Sequence, residues 1–526
     1  MSPLGGWPAR ALLVVVLLGG VFVPRPEARA VEPAEPELVE VLAPSRDDVH
    51  ALVAGFDLAE SRRGDWYRVV AWPGDRARLE DLGLAVRSVR TLSAPKGGSG
   101  SPYRHLADYE RDLRDLATAY PGHVRLLTGV EPSLEGRPIL GVEIAGHIER
   151  DDGRPVAYID GIHHAREWPA GEVPMNFAIE LASGYGVRPG ITRLLDNARV
   201  IIVPVLNVDG FHHSRQSLYG DQVPLVFGIA AGGQGTYWRK NMRAAVNGPG
   251  VSVGAYGVDN NRNYSFLWGS TDPGPNATTS PLIPTQTYHG AQPFSEPETR
   301  VAQNIMLTNN VVAMISNHTH GGLVLHPWGH TFAPPPDDGI VELARAMAEV
   351  NGYRAQPGID LYPTTGTADD WAYATLGAYA YTFEMMNDFH PPEGLGNEDK
   401  LNRNAYKVLL AWAADPAHHS VLEGSVTDAS GAPIAASLRL TKSVTTPLNE
   451  PYNTILGPFI ETIDLSMTAA ADGSFSWHVN PSGRPLSSDE RYTMTVSAPG
   501  FVDRSLSVSV ERGDVASLGA IVLDAV

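Results

Sequence analysis

The sequence of 526 residues contains no cysteine, which excludes disulfides, thiolate nucleophiles and Cys-ligated zinc or iron–sulfur centres. Any metal must therefore sit on His, Asp or Glu. Positive charge is also scarce. Forty Lys and Arg stand against 59 Asp and Glu, a formal charge of −19 with a pI near 5.3, and the resulting field repels phosphate backbones and excludes nucleic acid as a main partner. Long apolar runs are missing too. Residues 11–23 are uncharged but fall short of the roughly 20 residues that span a bilayer. They lie between Arg10 and the small-residue stretch Ala28-Arg29-Ala30, the pattern of a cleaved secretory signal over residues 1–30. The mature protein is expected to be secreted, with no membrane span once the signal is removed, or to associate with the cell envelope.

What is present exceeds one domain. A chain of this length with 43% hydrophobic residues organises two or three folded units. Residues 31–100 read as a small α+β unit, with Trp66-Tyr-Arg-Val-Val-Ala-Trp72 as a strand, a short helix over 76–82 and a Gly/Ser-rich, protease-accessible linker from Ser93 to Pro102. The unit is either a removable pro-segment or a permanent N-terminal domain. Residues 101–417 alternate amphipathic helices, such as 106–119, with apolar strands at 156–159 and 200–205, which predicts a mostly parallel α/β sheet. Residues 217–256 and 267–287 are aperiodic and rich in Gly, Pro and Thr, and read as long rim loops. Over residues 420–526 the period changes to two, as in Tyr492-Thr-Met-Thr-Val496 and Leu506-Ser-Val-Ser-Val510, which predicts an all-β sandwich.

Two His-x-x-Glu pairs occur, His164-Ala-Arg-Glu167 and His390-Pro-Pro-Glu393, and about one is expected by chance at this composition. The prolines of the second prevent a helical turn from placing both side chains on one face. The first follows the strand at 156–159 and the turn at Gly161, at the carboxyl end of a strand, where α/β proteins place ligands. Its His and Glu can both reach one Zn²⁺, leaving room for a third protein ligand and a water. His163 beside them is a packed residue by default, or a support of the site.

The string Asp160-Gly-Ile-His-His-Ala-Arg-Glu-Trp168 resembles the zinc metallocarboxypeptidases of the pancreatic carboxypeptidase A/B type. The resemblance continues in order through Glu135-Gly-Arg-Pro-Ile139, Asn207-Val-Asp-Gly-Phe211, Trp238-Arg-Lys240, Gly257-Val-Asp-Asn-Asn-Arg-Asn263, His318-Thr-His320, Tyr362, Gly366, Asp370-Trp371 and Thr382-Phe-Glu384. It implies an α/β fold with a mixed, mostly parallel central sheet flanked by helices, and one Zn²⁺ per chain on His164, Glu167 and His318. It implies that Asp259 orients the His164 imidazole, that Glu384 is the general base and that Arg239 stabilises the oxyanion. By the same resemblance Asn261 and Arg262 clamp the terminal carboxylate, Arg166 contacts the peptide near the scissile bond and Tyr362 closes over the bound terminus.

Asp369 stands where B-type enzymes carry the pocket-base carboxylate, which implies a preference for C-terminal Lys or Arg, or a dual preference if Asp369 is solvated or hydrogen-bonded. The sequence departs from the pancreatic enzymes at Thr319 and His320, where they carry serine and tyrosine, and in a longer span from Gly210 to Trp238. The C-terminal sandwich resembles the transthyretin-like domain of the regulatory carboxypeptidases, with its own partner unspecified. The expected function is a secreted metallocarboxypeptidase acting on peptide or protein C-termini. The alternatives are a carboxypeptidase of cell-wall peptides and a catalytically silent adhesive or binding protein.

Overall fold

The computed structural model describes residues 36–92, 101–216, 235–246, 252–255, 257–269 and 285–526. The stretch read as a secretory signal, most of that read as a linker and large parts of the two read as rim loops lie outside the described residues.

The N-terminal unit runs β1 (Glu37–Leu42), α1 (Arg46–Gly55), β2 (Asp57–Arg63), β3 (Trp66–Ala71), α2 (Asp75–Asp81) and β4 (Ala85–Thr91). Ser45 and Asp48 form a capping box that starts α1. The strands make an antiparallel sheet in the order β2-β3-β1-β4. Period-two alternation divides its side chains between two clusters. Val39, Val41 and Val69 join Leu52, Val53 and Leu79 together with Leu323, Leu325, Leu361 and Tyr362. Leu38, Val70 and Trp72 pack instead with Tyr237 and Phe389. Both clusters thus include residues from the next part of the chain.

That part begins with α3 (Leu106–Ala119), whose buried Leu106, Tyr109, Leu113 and Leu116 form one helical stripe. It continues through β5 (Val124–Thr128), β6 (Leu140–Ile144), β7 (Val156–Gly161), α4 (Pro169–Gly184), α5 (Pro189–Asn197), β8 (Arg199–Val203), α6 (Val208–Gln216) and a hairpin, β9 (Ala244–Val246) with β10 (Ser252–Ala255). It closes with α7 (Pro297–Thr308), β11 (Val311–Thr319), β12 (Leu323–His326), α8 (Gly339–Asn351), β13 (Arg354–Pro357), α9 (Ala368–Trp371), β14 (Tyr379–Met385) and α10 (Glu398–Ala414). The sheet order is β13-β12-β14-β11-β7-β8-β6-β5, parallel except at β12/β14, β6/β8 and β5/β6. The mixed, mostly parallel sheet expected from the sequence is therefore present.

Details differ from the sequence reading. Strand β8 stops at Val203 rather than Val205, because Pro204 has no N–H to offer the ladder. Within the stretch read as rim loop, Tyr237, Trp238, Arg239, Lys240 and Asn241 are buried.

The remaining strands are β15 (Ser420–Asp428), β16 (Ser437–Thr446), β17 (Phe459–Thr468), β18 (Ser474–Val479), β19 (Tyr492–Ser497), β20 (Arg504–Val508) and β21 (Val515–Leu523). They form two sheets, β18-β15-β21 and β17-β16-β19-β20. Their apolar core is continuous with that of the large sheet. Hydrogen bonds from Trp477 Nε1 to Asn310 Oδ1 (3.0 Å) and from Asn480 Nδ2 to the Val311 carbonyl (2.7 Å) fix the sandwich at the start of β11.

Candidate active site

The centre of the sheet is buried on both faces along β7, β11 and β14. Their carboxyl ends converge where parallel sheets place ligands. In the β11/β14 ladder His318 lies opposite Glu384, and in the β7/β11 ladder Gly161 lies opposite Asn317. The loop leaving Gly161 therefore starts beside His318 and carries His164 and Glu167 directly to it. Gly161 is required there, because a Cβ would lie 2.1 Å from the Ala170 carbonyl oxygen.

His164 Nδ1 lies 3.0 Å from His318 Nδ1 and 2.8 Å from Glu167 Oε1, while Glu167 Oε2 lies 3.1 Å from His318 Nδ1. Two imidazole nitrogens facing each other between carboxylate oxygens is a donor set suited to a borderline cation such as zinc. The far side of each ring is engaged: His164 Nε2 meets Asp259 Oδ1 at 3.1 Å, and His318 Nε2 meets Ser316 Oγ at 3.2 Å. These outer contacts fix ring orientation and leave both Nδ1 atoms facing the space a metal could take. His163 turns away, with Nε2 at 2.8 Å from Tyr264 Oη and Nδ1 at 3.1 Å from Ser316 Oγ. The second His-x-x-Glu pair is elsewhere: the His390 ring packs 3.9 Å from that of Trp168.

Arg239 donates to Asp259 Oδ2 from Nη2 at 3.0 Å and from Nε at 3.2 Å. Arg262 Nη1 donates to the Asn261 carbonyl (2.7 Å), and its Nη2 donates to Tyr362 Oη (3.5 Å). Asn261 Oδ1 accepts from the Ala368 N–H at 2.9 Å, tying it to the helix that carries Asp369. All of these side chains are buried. Burial, and then the neighbouring carboxylates of Glu60 and Glu167, push the Glu384 carboxyl well above its usual range. Asp259 is held well below its own, because Arg239 and His164 outweigh the effect of burial. Burial, with Asp370 adjacent, pushes Asp369 up to about 7.

The sequence reading omitted two residues that the fold brings in. Glu60, from β2 of the N-terminal unit, joins His164, Glu167 and His318 in one buried group whose ligand atoms lie within 4.8 Å of one another. Its Oε1 lies 2.6 Å from Arg239 Nη1. Asp57, three residues earlier, takes Arg166 in a two-pronged ion pair at 2.5 and 2.8 Å. Nothing in the charged string Asp57-Leu-Ala-Glu-Ser-Arg-Arg63 distinguishes it from a solvated strand.

Comparison with known proteins identifies the family. The family described as zinc carboxypeptidase matches residues 109–405. The chain is 27% identical to a zinc carboxypeptidase of Saccharothrix mutabilis subsp. capreolus, over 66% of this chain and 82% of that protein. It is 29% identical to carboxypeptidase A6 of Mus musculus, over 59% and 68% of the two chains. It is 28% identical to carboxypeptidase B of Helicoverpa zea, over 59% and 70%. Among solved structures, carboxypeptidase A from Helicoverpa armigera aligns with a TM-score of 0.59 at 22% identity, covering 72% of this chain and 98% of that one. This likeness establishes a common fold.

Proposed function

The chain belongs to the zinc carboxypeptidase family and is a metallocarboxypeptidase, a hydrolase with zinc as cofactor; on that premise we propose that it is a secreted exopeptidase releasing single C-terminal residues. The observation that carries the reading is the pairing of His318 with Glu384 across β11 and β14, beside His164 and Glu167. When bound, zinc supplies a Lewis acid that polarises a carbonyl and acidifies water. His164, Glu167 and His318 would hold it, and Asp259 would fix the His164 ring.

Glu384 takes the proton of the attacking water and returns it to the leaving amine, a task suited to a buried carboxylate whose surroundings strengthen it as a base. Arg239 donates to the developing oxyanion from a dry, preorganised position. Asn261 and Arg262 bind the free terminal carboxylate, which restricts cleavage to the last bond. Arg166 contacts the peptide near the scissile bond, and Tyr362 closes over the terminus. Asp369, buried beside Asp370, selects Lys or Arg side chains or allows a dual preference.

Secretion is supported by the signal-like N-terminus, and among the described residues no helix is long and apolar enough to cross a membrane. Residues 31–100 serve as a pro-segment, residues 101–417 as the catalytic domain, and residues 420–526 as a transthyretin-like sandwich that supports its fold.

The test is release of the last residue from matched peptides ending in Arg, Lys, Phe or Leu, with free or amidated termini, after cleavage in the linker. Release that is lost on chelation, absent from amidated peptides and fastest for Arg or Lys is expected. Preference for Phe or Leu rejects Asp369 as selector. Release from amidated peptides rejects the Asn261/Arg262 clamp.

A further inference from the structure

Glu60 stands outside every family motif yet reaches the centre of the site. Its Oε1 lies 2.6 Å from Arg239 Nη1 and 3.8 Å from His164 Nδ1, and accepts from Tyr362 Oη at 3.3 Å. Its Oε2 is buried without a hydrogen-bond partner. We propose that Glu60 is a fourth zinc ligand in the uncut chain, so that β2 is a built-in plug converting an open, three-donor site into a closed one. This rests on the carboxypeptidase reading above and specifies how that site is regulated.

The local backbone is arranged for this placement. Glu60 has φ +44, a left-handed conformation that side-chain-bearing residues rarely adopt, and the β2/β3 register is irregular between Leu58 and Arg62. Such a residue persists only where its surroundings over-determine it, and bulges of this kind re-aim side chains at functional sites. The cleft matches the strand closely. A Cβ on Gly321 would lie 3.2 Å from the Glu60 carbonyl oxygen and 3.5 Å from Glu384 Cβ.

A second carboxylate anchors the same strand. Asp57 holds both terminal nitrogens of Arg166, and its Oδ2 also accepts from Trp72 Nε1 at 3.2 Å. Asp57 and Glu60 therefore occupy the two arginines assigned above to the substrate peptide and the oxyanion. A zinc site with four protein ligands is of the closed, structural kind, whereas catalysis needs one position open. A carboxylate tethered to its target competes at high effective concentration. Cleavage between residues 93 and 102 removes that advantage.

The experiment uses the full, uncut chain. Zinc affinity is measured by competition with a chelating dye, and the ligand field by visible absorption of the cobalt(II)-loaded protein, for wild type, Glu60→Gln and His164→Ala. Glu60→Gln is expected to weaken zinc at least tenfold and to change the cobalt spectrum, and His164→Ala to abolish stoichiometric binding. Glu60→Ala repeats the measurement should the glutamine prevent folding. Wild-type affinity and an unchanged spectrum in the Glu60 variants, with metal lost in His164→Ala, would overturn the proposal and leave Glu60 as an ion-pair partner of Arg239. Equal binding by wild type and His164→Ala would remove the site assignment itself, and the proposal with it.

Discussion

The carboxylate of Glu461, on β17 of the C-terminal sandwich, accepts from the indole Nε1 of Trp371 at 3.1 Å. Trp371 ends the short helix that carries Asp369 and Asp370. The same carboxylate accepts from Ser265 Oγ (2.7 Å), Gln303 Nε2 (2.7 Å) and Thr446 Oγ1 (3.3 Å), so one buried acceptor holds three segments of the large domain to the sandwich. Glu461→Ala leaves these donors unpaired, and a loss on the order of 2–4 kcal/mol is expected, since an orphaned buried polar group costs about 1–3 kcal/mol. Urea unfolding measures it. If Glu461 also positions the Asp369 helix, KM for peptides ending in Arg rises while kcat stays near wild type.

Glu298 offers a test away from the chemistry. Burial, and then Glu296, push its carboxyl up to about 8 from an ordinary 4.5; Oε2 accepts from Asn241 Nδ2 at 3.1 Å and Oε1 has no partner. The folded state keeps the proton that the unfolded state loses, so stability falls as pH rises from about 4.5 to about 8 and levels off above. Glu298→Gln removes this slope. Near pH 8 the variant is expected to be more stable than wild type by on the order of 1–3 kcal/mol, with the difference vanishing near pH 4. Thermal midpoints measured across that range decide it.

Local pattern made much of the architecture legible. Residues 106–119 read as a helix because Leu106, Tyr109, Leu113 and Leu116 recur at helical spacing, and they form that helix. His164 and Glu167 stood out because they share a loop directly after an apolar strand, whereas His318, on an apolar strand of its own, followed only from the resemblance to the metallocarboxypeptidases; the fold brings the three side chains together. Glu461 left a usable trace, since it is in phase with Ile463, Leu465 and Met467 on the buried face of β17; a carboxylate at a core position of a period-two strand signals a buried partner. Glu60 left none. Its burial arises when two units distant in sequence dock, and the bulge in β2 erases the alternation that would have marked its face.

Asp369 carries the expectation for specificity. A bound Lys or Arg side chain needs the carboxylate ionised, while the free enzyme holds the proton up to about 7. Affinity for peptides ending in Arg should therefore weaken as pH falls below about 7, by up to tenfold per unit, while peptides ending in Leu show no such slope. Asp369→Asn should lower kcat/KM for Arg-ending peptides roughly 10²–10³-fold, the range for losing one member of a buried charge pair. An equal loss for Leu-ending peptides would identify Asp369 as structural.

Asp259 joins the two cationic parts of the site. Oδ1 faces His164 Nε2 at 3.1 Å and accepts from the Asn261 N–H at 3.0 Å, while Oδ2 accepts from Arg239 Nη2 at 3.0 Å. With the carboxylate in place, the His164 proton resides on Nε2 and Nδ1 is free for the metal. Asparagine in its place keeps the shape and loses the charge, and an amide NH₂ turned toward Arg239 would repel it. Asp259→Asn is expected to weaken zinc binding by 10–100-fold in chelator competition. Its kcat/KM, measured with zinc in excess, should fall further than metal loss explains, because Arg239 loses the anchor that aims it. Full recovery of kcat/KM at saturating zinc would confine Asp259 to holding the His164 ring.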